Sequence, residues 1–212
     1  MHLGPISIIF VHILNYEITC HMIDDSHFLN YADTLLKVSQ GFKEALTNKI
    51  NLCKFKKGDI LVKSGELSSH IYFIRSGILR GYIMHHNKDI TLWLNETGDV
   101  FTTGESLLEI SPSIECIDVL EDCELEVISK VEFQELVQIY YEMVMLVNYV
   151  LVNNYKDASF RALLSKIPNA KERYKLLVSS KYGLLINKIP LKYIASFLGL
   201  RNETLSRIRA IR

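Results

Sequence analysis

The chain has 212 residues, of which 49% are apolar and 23% are charged, and 24 Lys and Arg balance 24 Asp and Glu. This composition is typical of a globular protein with a substantial core, and it excludes a disordered chain. The zero net charge conceals two opposite halves. Residues 156–212 carry 13 Lys and Arg against 3 Asp and Glu, whereas residues 1–155 carry 11 against 21. A basic module of this kind suits a polyanion, and the alternative is a basic face that docks on the protein's own acidic half.

The N-terminal residues 1–21 are the least clear part of the sequence. Residues 5–14 (PISIIFVHIL) are apolar but shorter than the ~20 residues that span a bilayer. No Lys or Arg precedes them, so a signal peptide is poorly supported. They are expected to be a strand, a disordered extension or sequence upstream of the natural start, for which Met22 is an alternative.

The four cysteines have no spacing that indicates a zinc or iron–sulfur site. We therefore expect reduced, partly buried thiols in a cytoplasmic protein. The residues concerned are Cys20, Cys53, Cys116 and Cys123.

Residues 24–51 have helical periodicity, with Gly41 as an interruption. Residues 53–128 instead consist of short runs of β-branched and aromatic residues, in places alternating apolar with polar, which predicts a β-sandwich or barrel. Four glycines are expected where the strands reverse direction. These are Gly58, Gly65, Gly77 and Gly98.

From Lys130 onward the pattern is helical again. A short helix is expected over residues 131–141, and a longer one over residues 142–164 is so apolar that it should be buried on more than one side. One side suits the β domain and the other an identical helix in a second subunit, whereas the alternative is a single buried core helix. Residues 170–179 predict a basic helix.

Residues 189–212 (IPLKYIASFLGLRNETLSRIRAIR) predict two short helices joined by a tight turn. Apolar residues recur at helical spacing, and Gly199 can adopt the positive φ that a sharp turn requires. A helix-turn-helix places its second helix in the DNA major groove, whereas the plainer alternative is an ordinary helical hairpin. The inward residues are Leu191, Ile194, Ala195, Leu198, Leu205 and Ile208, and the outward ones are Arg207, Arg209 and Arg212.

Three motifs carry a family resemblance: FKKGDILVKSGELSSHIYFIRSGILRG, TGDVFTTGESL and PLKYIASFLGLRNETLSRIR. Over residues 25–212 the chain resembles the cAMP receptor protein and fumarate–nitrate regulator (Crp/Fnr) family of bacterial transcription regulators. The resemblance implies an α+β fold, with a β-roll (double-stranded β-helix, cyclic nucleotide-binding-like) sensor and dimerisation helix in residues 22–155 and a helix-turn-helix in residues 156–212. It also implies a cytoplasmic homodimer that binds double-stranded DNA, with RNA polymerase and a small-molecule effector as further partners and no membrane association.

The resemblance places the DNA contacts on the second helix of this motif and the turn before it. Arg207 can bind guanine O6 and N7, Glu203 can accept from cytosine N4, and Asn202 can bind adenine or a phosphate. The best-known family member has Arg in place of Asn202, so a different target sequence is expected. The expected contacts are Arg201, Asn202, Glu203, Thr204, Ser206, Arg207 and Arg209.

The ligand end resembles the family less well. Its cyclic-nucleotide binders hold the phosphate with a Gly-Glu pair, matched here by Gly104 and Glu105 with Ser106 next, and with an Arg-Ser or Arg-Thr pair, where this chain has Ser113. A buried phosphate without a guanidinium loses its charge-assisted partner, so cAMP binding is expected to be weak or absent and no cofactor is predicted. Gly104 and Glu105 either contact another effector or serve only the turn.

The alternatives from other functional classes are a protein-binding regulatory module and an enzyme. A ligand-binding regulatory module would use the basic C-terminal part to hold a protein partner instead of DNA. A cupin-like enzyme would need a metal site, for which His85, His86 and Glu96 are the candidates. Adjacent histidines on a strand point to opposite faces, so neither a metal site nor an enzyme activity is predicted.

Overall fold

The structure, a computed structural model, describes residues 9–11, 18–23, 25–102 and 111–210. Within these ranges the chain forms ten β-strands and seven α-helices. They divide between two units. Residues 1–80 and 95–148 belong to the first, and residues 81–94 and 149–212 belong to the second.

Antiparallel pairing dominates the β-structure. In the larger sheet β3 pairs with β10 and β2, β2 pairs with β1, β4 pairs with β10, and β8 pairs with β6, while β5 and β9 form a separate pair. The strands are β1 (Ile9–Val11), β2 (Ile18–Met22), β3 (Asn51–Phe55), β4 (Ile60–Val62), β5 (Leu67–Ser68), β6 (His70–His85), β7 (Lys88–Glu96), β8 (Val100–Thr102), β9 (Ser111–Pro112) and β10 (Cys116–Ser129).

The helices lie before and after this β-structure. They are α1 (His27–Leu36), α2 (Gln40–Thr47), α3 (Lys130–Ile139), α4 (Tyr141–Lys166), α5 (Ala170–Val178), α6 (Leu191–Phe197) and α7 (Asn202–Ala210). The combination of an antiparallel β-roll with helices towards the C-terminus confirms the predicted α+β class.

The helical region expected over residues 24–51 is broken at a different place from the one predicted. Lys37 adopts a left-handed conformation with φ of 49° and ends α1, whereas Gly41 lies inside α2 with open space around its Cα. The side chain of Ser39 then caps α2 by accepting from the amide of Phe42 at 3.3 Å. A left-handed residue and a serine cap therefore make the break.

Glycine also has a role that the sequence did not indicate. Gly58, Gly65 and Gly98 have positive φ in turns between strands, as expected, but Gly77 lies within β6. A Cβ on Gly77 would overlap Cys123 in β10, and its φ is 105°. Gly77 therefore permits the close approach of two long strands instead of a reversal.

A buried carboxylate attaches α1 to the sheet of the first unit. Glu126 in β10 is 2% exposed, and its oxygens accept from the backbone amides of His27 at 2.7 Å and Phe28 at 3.1 Å. They also accept from the Ser26 hydroxyl at 2.6 Å. The amides of His27 and Phe28 are the first two of α1 and lack partners within the helix, so Glu126 satisfies them. A carboxylate also suits the positive end of the helix dipole.

The prediction of four reduced thiols is wrong for two of the cysteines. Cys20 in β2 and Cys53 in β3 lie opposite each other in the strand pairing and form a disulfide, with Cα atoms 4.5 Å apart. Cys116 and Cys123 are free. Burial, with the nearby carboxylates of Asp59 and Asp122, raises the pKa of the Cys123 thiol to about 12, so it stays protonated at neutral pH.

In the described ranges, no single helix has both the length and the apolar character of a membrane span. Helices α3 and α4 meet this criterion only as a pair, bent by 119°.

Candidate nucleic-acid interface

The helix-turn-helix predicted from residues 189–212 is formed by α6 and α7 in the second unit. Four of the six apolar residues predicted to face inward are buried, and the other two, Leu191 and Ile208, are half-buried. Tyr182 adds an aromatic layer, because its ring centroid lies 5.4 Å from that of Phe197 and 6.0 Å from that of Phe160. The buried residues are Ile194 and Ala195 of α6, Leu198 directly after it and Leu205 of α7.

The turn between the helices has the Schellman geometry of a helix C-terminus. The amide of Leu200 donates to the Ala195 carbonyl at 2.8 Å, and the amide of Gly199 donates to the Ser196 carbonyl at 3.0 Å. Gly199 has φ of 62°, a conformation that costs little only without a Cβ. This pair of bonds determines where α7 begins relative to α6.

The outer face of α7 carries three of the expected DNA contacts. Glu203, Ser206 and Arg207 are three or four positions apart and share the side of the helix that faces away from the fully buried Leu205. Arg201 and Asn202 are exposed where the helix begins. Thr204 and Arg209 are half-buried at its edges. The exposed residues are Arg201, Asn202, Glu203, Ser206 and Arg207.

Further cations are exposed elsewhere in the second unit. Lys171 and Lys175 lie on α5, and Lys192 lies on α6, where its Nζ is 4.6 Å from the centre of the Tyr193 ring. Lys181 is exposed and pairs with Asp157. The second unit therefore exposes cations on α5 and α6 as well as on α7, and such charges attract phosphates irrespective of sequence.

Two residues that hold this motif in place were not found from the sequence. Arg173 of α5 donates from Nε and Nη2 to the Ile167 carbonyl at 3.1 and 2.7 Å, and from Nη1 to the Leu198 carbonyl. Its sequence context is only that of one more cation in a basic helix, so no local signal separates it from its neighbours. Ser196 is the second residue.

Ser196 attaches the tip of the β6–β7 hairpin to α6 within the second unit. Its hydroxyl donates to the Asp89 carbonyl at 3.1 Å and accepts from the Thr91 amide at 2.9 Å. Further from the turn, β6 and β7 are closely packed, because a Cβ on Gly81 would overlap the Trp93 ring. A helical serine thus satisfies two backbone groups of β7.

The expectation that His85 and His86 lie next to each other on one strand and point to opposite faces is wrong. His86 and Asn87 have φ of 48° and 60° and form the hairpin turn, so His85 and His86 are not neighbours on a flat strand. Their ring centroids are only 4.2 Å apart. No group of three or more potential metal ligands occurs in the described part of the chain.

Of the predicted effector residues, Ser113 lies within the described part of the chain. Gly104, Glu105 and Ser106 lie outside the described residues. Ser113 is 2% exposed, and its hydroxyl donates to the Glu115 carbonyl at 2.8 Å while it accepts from the Glu115 amide at 3.1 Å. Its side chain is thus engaged with its own loop.

The buried guanidinium of β6 is already paired. Arg80 is 2% exposed and donates to both carboxylate oxygens of Asp118, from Nε at 3.0 Å and from Nη2 at 2.8 Å. Between Arg80 and Lys130 the sequence has one other Lys or Arg, Lys88. A buried phosphate would therefore have to compete with Asp118 for the charge of Arg80.

Residues 52–140 match the family model described as the cyclic nucleotide-binding domain. The fold is similar to that of a Crp/Fnr-family transcriptional regulator from Eubacterium rectale, with a TM-score of 0.64, 17% identity and coverage of 86% of this chain and 87% of the other. It is also similar to a CooA mutant from Carboxydothermus hydrogenoformans, with a TM-score of 0.63, 19% identity and coverage of 90% and 85%.

A third similar structure is FixK2 from Bradyrhizobium japonicum, with a TM-score of 0.62, 18% identity and coverage of 76% of this chain and 83% of the other. No curated protein sequence matches the chain. The structural similarities confirm at the level of the fold the resemblance to Crp/Fnr regulators.

Proposed function

We propose that this chain, which has the fold of the Crp/Fnr regulators, is a dimeric DNA-binding transcription regulator. The observation that carries the proposal is the exposed start and outer face of α7, where Glu203, Ser206 and Arg207 lie on the side away from the buried Leu205. Arg201 and Asn202 are exposed where the helix begins. A helix of this kind, set by a tight turn on a second helix, has the shape that enters a major groove. The surrounding cations supply attraction to the phosphates.

The chemistry of the exposed face suits recognition of base edges. Arg207 has the planar fork that binds guanine O6 and N7 together, and Glu203 can accept from cytosine N4. Thr204 and Arg209, at the edges of the face, suit contacts to the sugar–phosphate backbone. Asn202 opens α7 and can bind either adenine or a phosphate.

Replacement of Arg207 by Ala is expected to reduce sequence selectivity. The loss of a bidentate base contact corresponds to about 1–3 kcal/mol per half-site, or roughly 5- to 150-fold in the ratio of specific to non-specific affinity. Fluorescence anisotropy with an operator selected from a random duplex pool, and with an unselected duplex, would measure this ratio.

Arg209→Ala is the matched control for that experiment. It removes the same charge from the same helix at an edge position, so it should weaken binding to both duplexes alike and reduce the salt slope by about one. An unchanged ratio for Arg207→Ala would contradict the proposed base contact. If the basic unit instead holds a protein partner, neither substitution would affect a sequence preference, because none would exist.

The exposed residues of α4 support the dimer. Positions 141, 144, 148, 151, 155, 158 and 162 alternate in steps of three and four, the spacing of a coiled-coil seam. Tyr141, Val144, Leu151 and Tyr155 on this seam are 72%, 41%, 49% and 73% exposed in the single chain. A second copy would cover them, whereas a helix buried alone in its own domain would leave no such seam in solvent.

Sedimentation velocity tests the dimer. The wild-type chain of 24.4 kDa is expected to sediment at twice this mass. Leu151→Asp would place a charge in the seam and shift the protein to the monomer, because burying an unpaired carboxylate costs several kcal/mol. Asn153→Asp, which adds the same group off the seam, should remain dimeric. A wild-type monomer at micromolar concentration would contradict the proposal.

We propose further that the effector is not tightly bound cAMP, although residues 52–140 match a cyclic nucleotide-binding domain. The Arg80 guanidinium is held by Asp118, and the Ser113 side chain, at the expected arginine position, is neutral and bonded to its own loop. Calorimetry with cAMP is expected to show no binding with sub-micromolar affinity. Such affinity would contradict this proposal without affecting the proposal of DNA binding.

A further inference from the structure

Two helix ends meet at one guanidinium in the second unit. α4 ends at Lys166 and α6 ends at Phe197, and Arg173 of α5 contacts the first carbonyl beyond each of them. Its Nε and Nη2 donate to the Ile167 carbonyl at 3.1 and 2.7 Å, and its Nη1 donates to the Leu198 carbonyl.

This arrangement follows from the physical chemistry of helix ends. The last carbonyls of a helix have no amide partner within it and form the negative end of its dipole. A guanidinium presents five N–H groups in a rigid plane, so it can bond to two carbonyls on different sides at once. A lysine ammonium has no such fork and cannot hold both carbonyls in the same fixed geometry.

The Leu198 carbonyl, to which Arg173 donates, lies next to the turn that precedes α7. Leu198 directly precedes Gly199, the left-handed residue of the turn, and α7 begins at Asn202. Nη1 of Arg173 lies 3.6 Å from the place that a Cβ on Gly199 would occupy. The guanidinium therefore lies against the turn that determines the direction of α7.

We propose that Arg173 is a positioning residue, which links the end of the long helix α4 to the turn of the helix-turn-helix and so holds α7 at the angle needed for base recognition. The Arg173 guanidinium is committed to protein carbonyls and is not a phosphate ligand. This inference rests on the proposed DNA binding and adds to it the residue that transmits the position of α4 to the recognition helix.

The two lysines of α5 differ from Arg173 in exposure and in hydrogen bonding. Lys171 and Lys175 on the same helix are exposed, whereas Arg173 is half-buried. Of these three cations in α5, Arg173 is the one with hydrogen bonds to both Ile167 and Leu198. Sequence alone would count all three as equivalent phosphate contacts.

The test is Arg173→Lys, which keeps the charge and removes the planar fork. We would measure the affinity of the variant for an operator selected by the wild-type protein and for an unselected duplex. The measurements would cover a range of salt concentrations, at a temperature well below the melting temperature of the variant. The operator affinity is expected to fall about tenfold or more, because a misplaced recognition helix loses base contacts. The affinity for the unselected duplex and its salt slope should stay at the wild-type values.

Two controls keep the test decisive. Lys171→Gln removes an exposed charge from the same helix and should leave the ratio of operator to unselected affinity unchanged. Arg173→Gln retains one amide donor and replaces the lysine variant if circular dichroism shows that the latter is unfolded. Arg173→Gln is then compared with Lys171→Gln, which loses the same charge. Arg173→Gln is expected to show the fall in the affinity ratio that is expected of Arg173→Lys, and Lys171→Gln is expected to show none.

Each contrary outcome overturns the inference. If Arg173→Lys lowers the melting temperature but leaves the ratio of affinities unchanged, Arg173 has only a structural role. If it weakens both duplexes equally, or Arg173→Gln reduces the salt slope by about 0.9 with no change in the ratio, Arg173 is a phosphate contact. If the wild-type protein shows no salt-dependent DNA binding, the proposed function itself fails, which is a separate result.

Discussion

The affinity of the protein for duplex DNA is expected to fall by roughly 10³ to 10⁵ between ~50 and ~200 mM salt. The reason is counterion release, since each phosphate that a Lys or Arg neutralises frees condensed cations from the duplex. The second unit exposes Arg201 and Arg207 at α7, Lys171 and Lys175 on α5, and Lys192 on α6. Two copies in a dimer can supply the 6–10 phosphate contacts on which this estimate depends.

Titration of a labelled, unselected duplex at several salt concentrations measures this slope without knowledge of the operator. Lys175→Gln is expected to reduce the slope by up to about one per neutralised phosphate, whereas Lys43→Gln, in the first unit, should leave it unchanged. An affinity that does not vary with salt would remove DNA from the proposed function.

Reduction of the Cys20–Cys53 disulfide is expected to lower the free energy of unfolding by about 3–4 kcal/mol, from the chain entropy of the loop that it closes. The two cysteines are separated by 33 positions, and the loop between them contains α1 and α2. Since domains are stable by only about 5–15 kcal/mol, this is a large fraction of the total.

Urea unfolding with and without dithiothreitol measures the effect as a shift of the midpoint. The double variant Cys20→Ser, Cys53→Ser should be insensitive to the reductant, and Cys116→Ser should retain the wild-type response because Cys116 is free. Equal midpoints for the oxidised and reduced wild-type protein would show that the disulfide does not contribute to stability.

Several features of the fold could be predicted because their signals are local. The helix-turn-helix is defined by apolar residues three or four positions apart and by Gly199, whose φ of 62° the turn requires. The strands were indicated by alternation and by turn glycines such as Gly58 and Gly98, both of which have positive φ. All these signals lie within one element or the next turn.

Features that depend on distant parts of the chain could not be predicted in the same way. Gly77 was assigned to a reversal, but it lies where β6 meets β10 at Cys123. The pairing of Cys20 with Cys53 depends on the register of β2 against β3, which no spacing of cysteines reveals.

The sequence by itself determined the class of the fold and the position of the helix-turn-helix, because periodicity is a property of neighbouring residues. It placed Arg209 outward, whereas the structure has Arg209 half-buried, and Arg212 lies outside the described residues. Only the tertiary structure decided the roles of chemically similar side chains. Glu126 accepts from Ser26 and Arg173 donates to Leu198, contacts that span 100 and 25 positions of the chain. A carboxylate or guanidinium acquires its role from the backbone groups that folding brings to it, and long-range packing alone determines which groups these are.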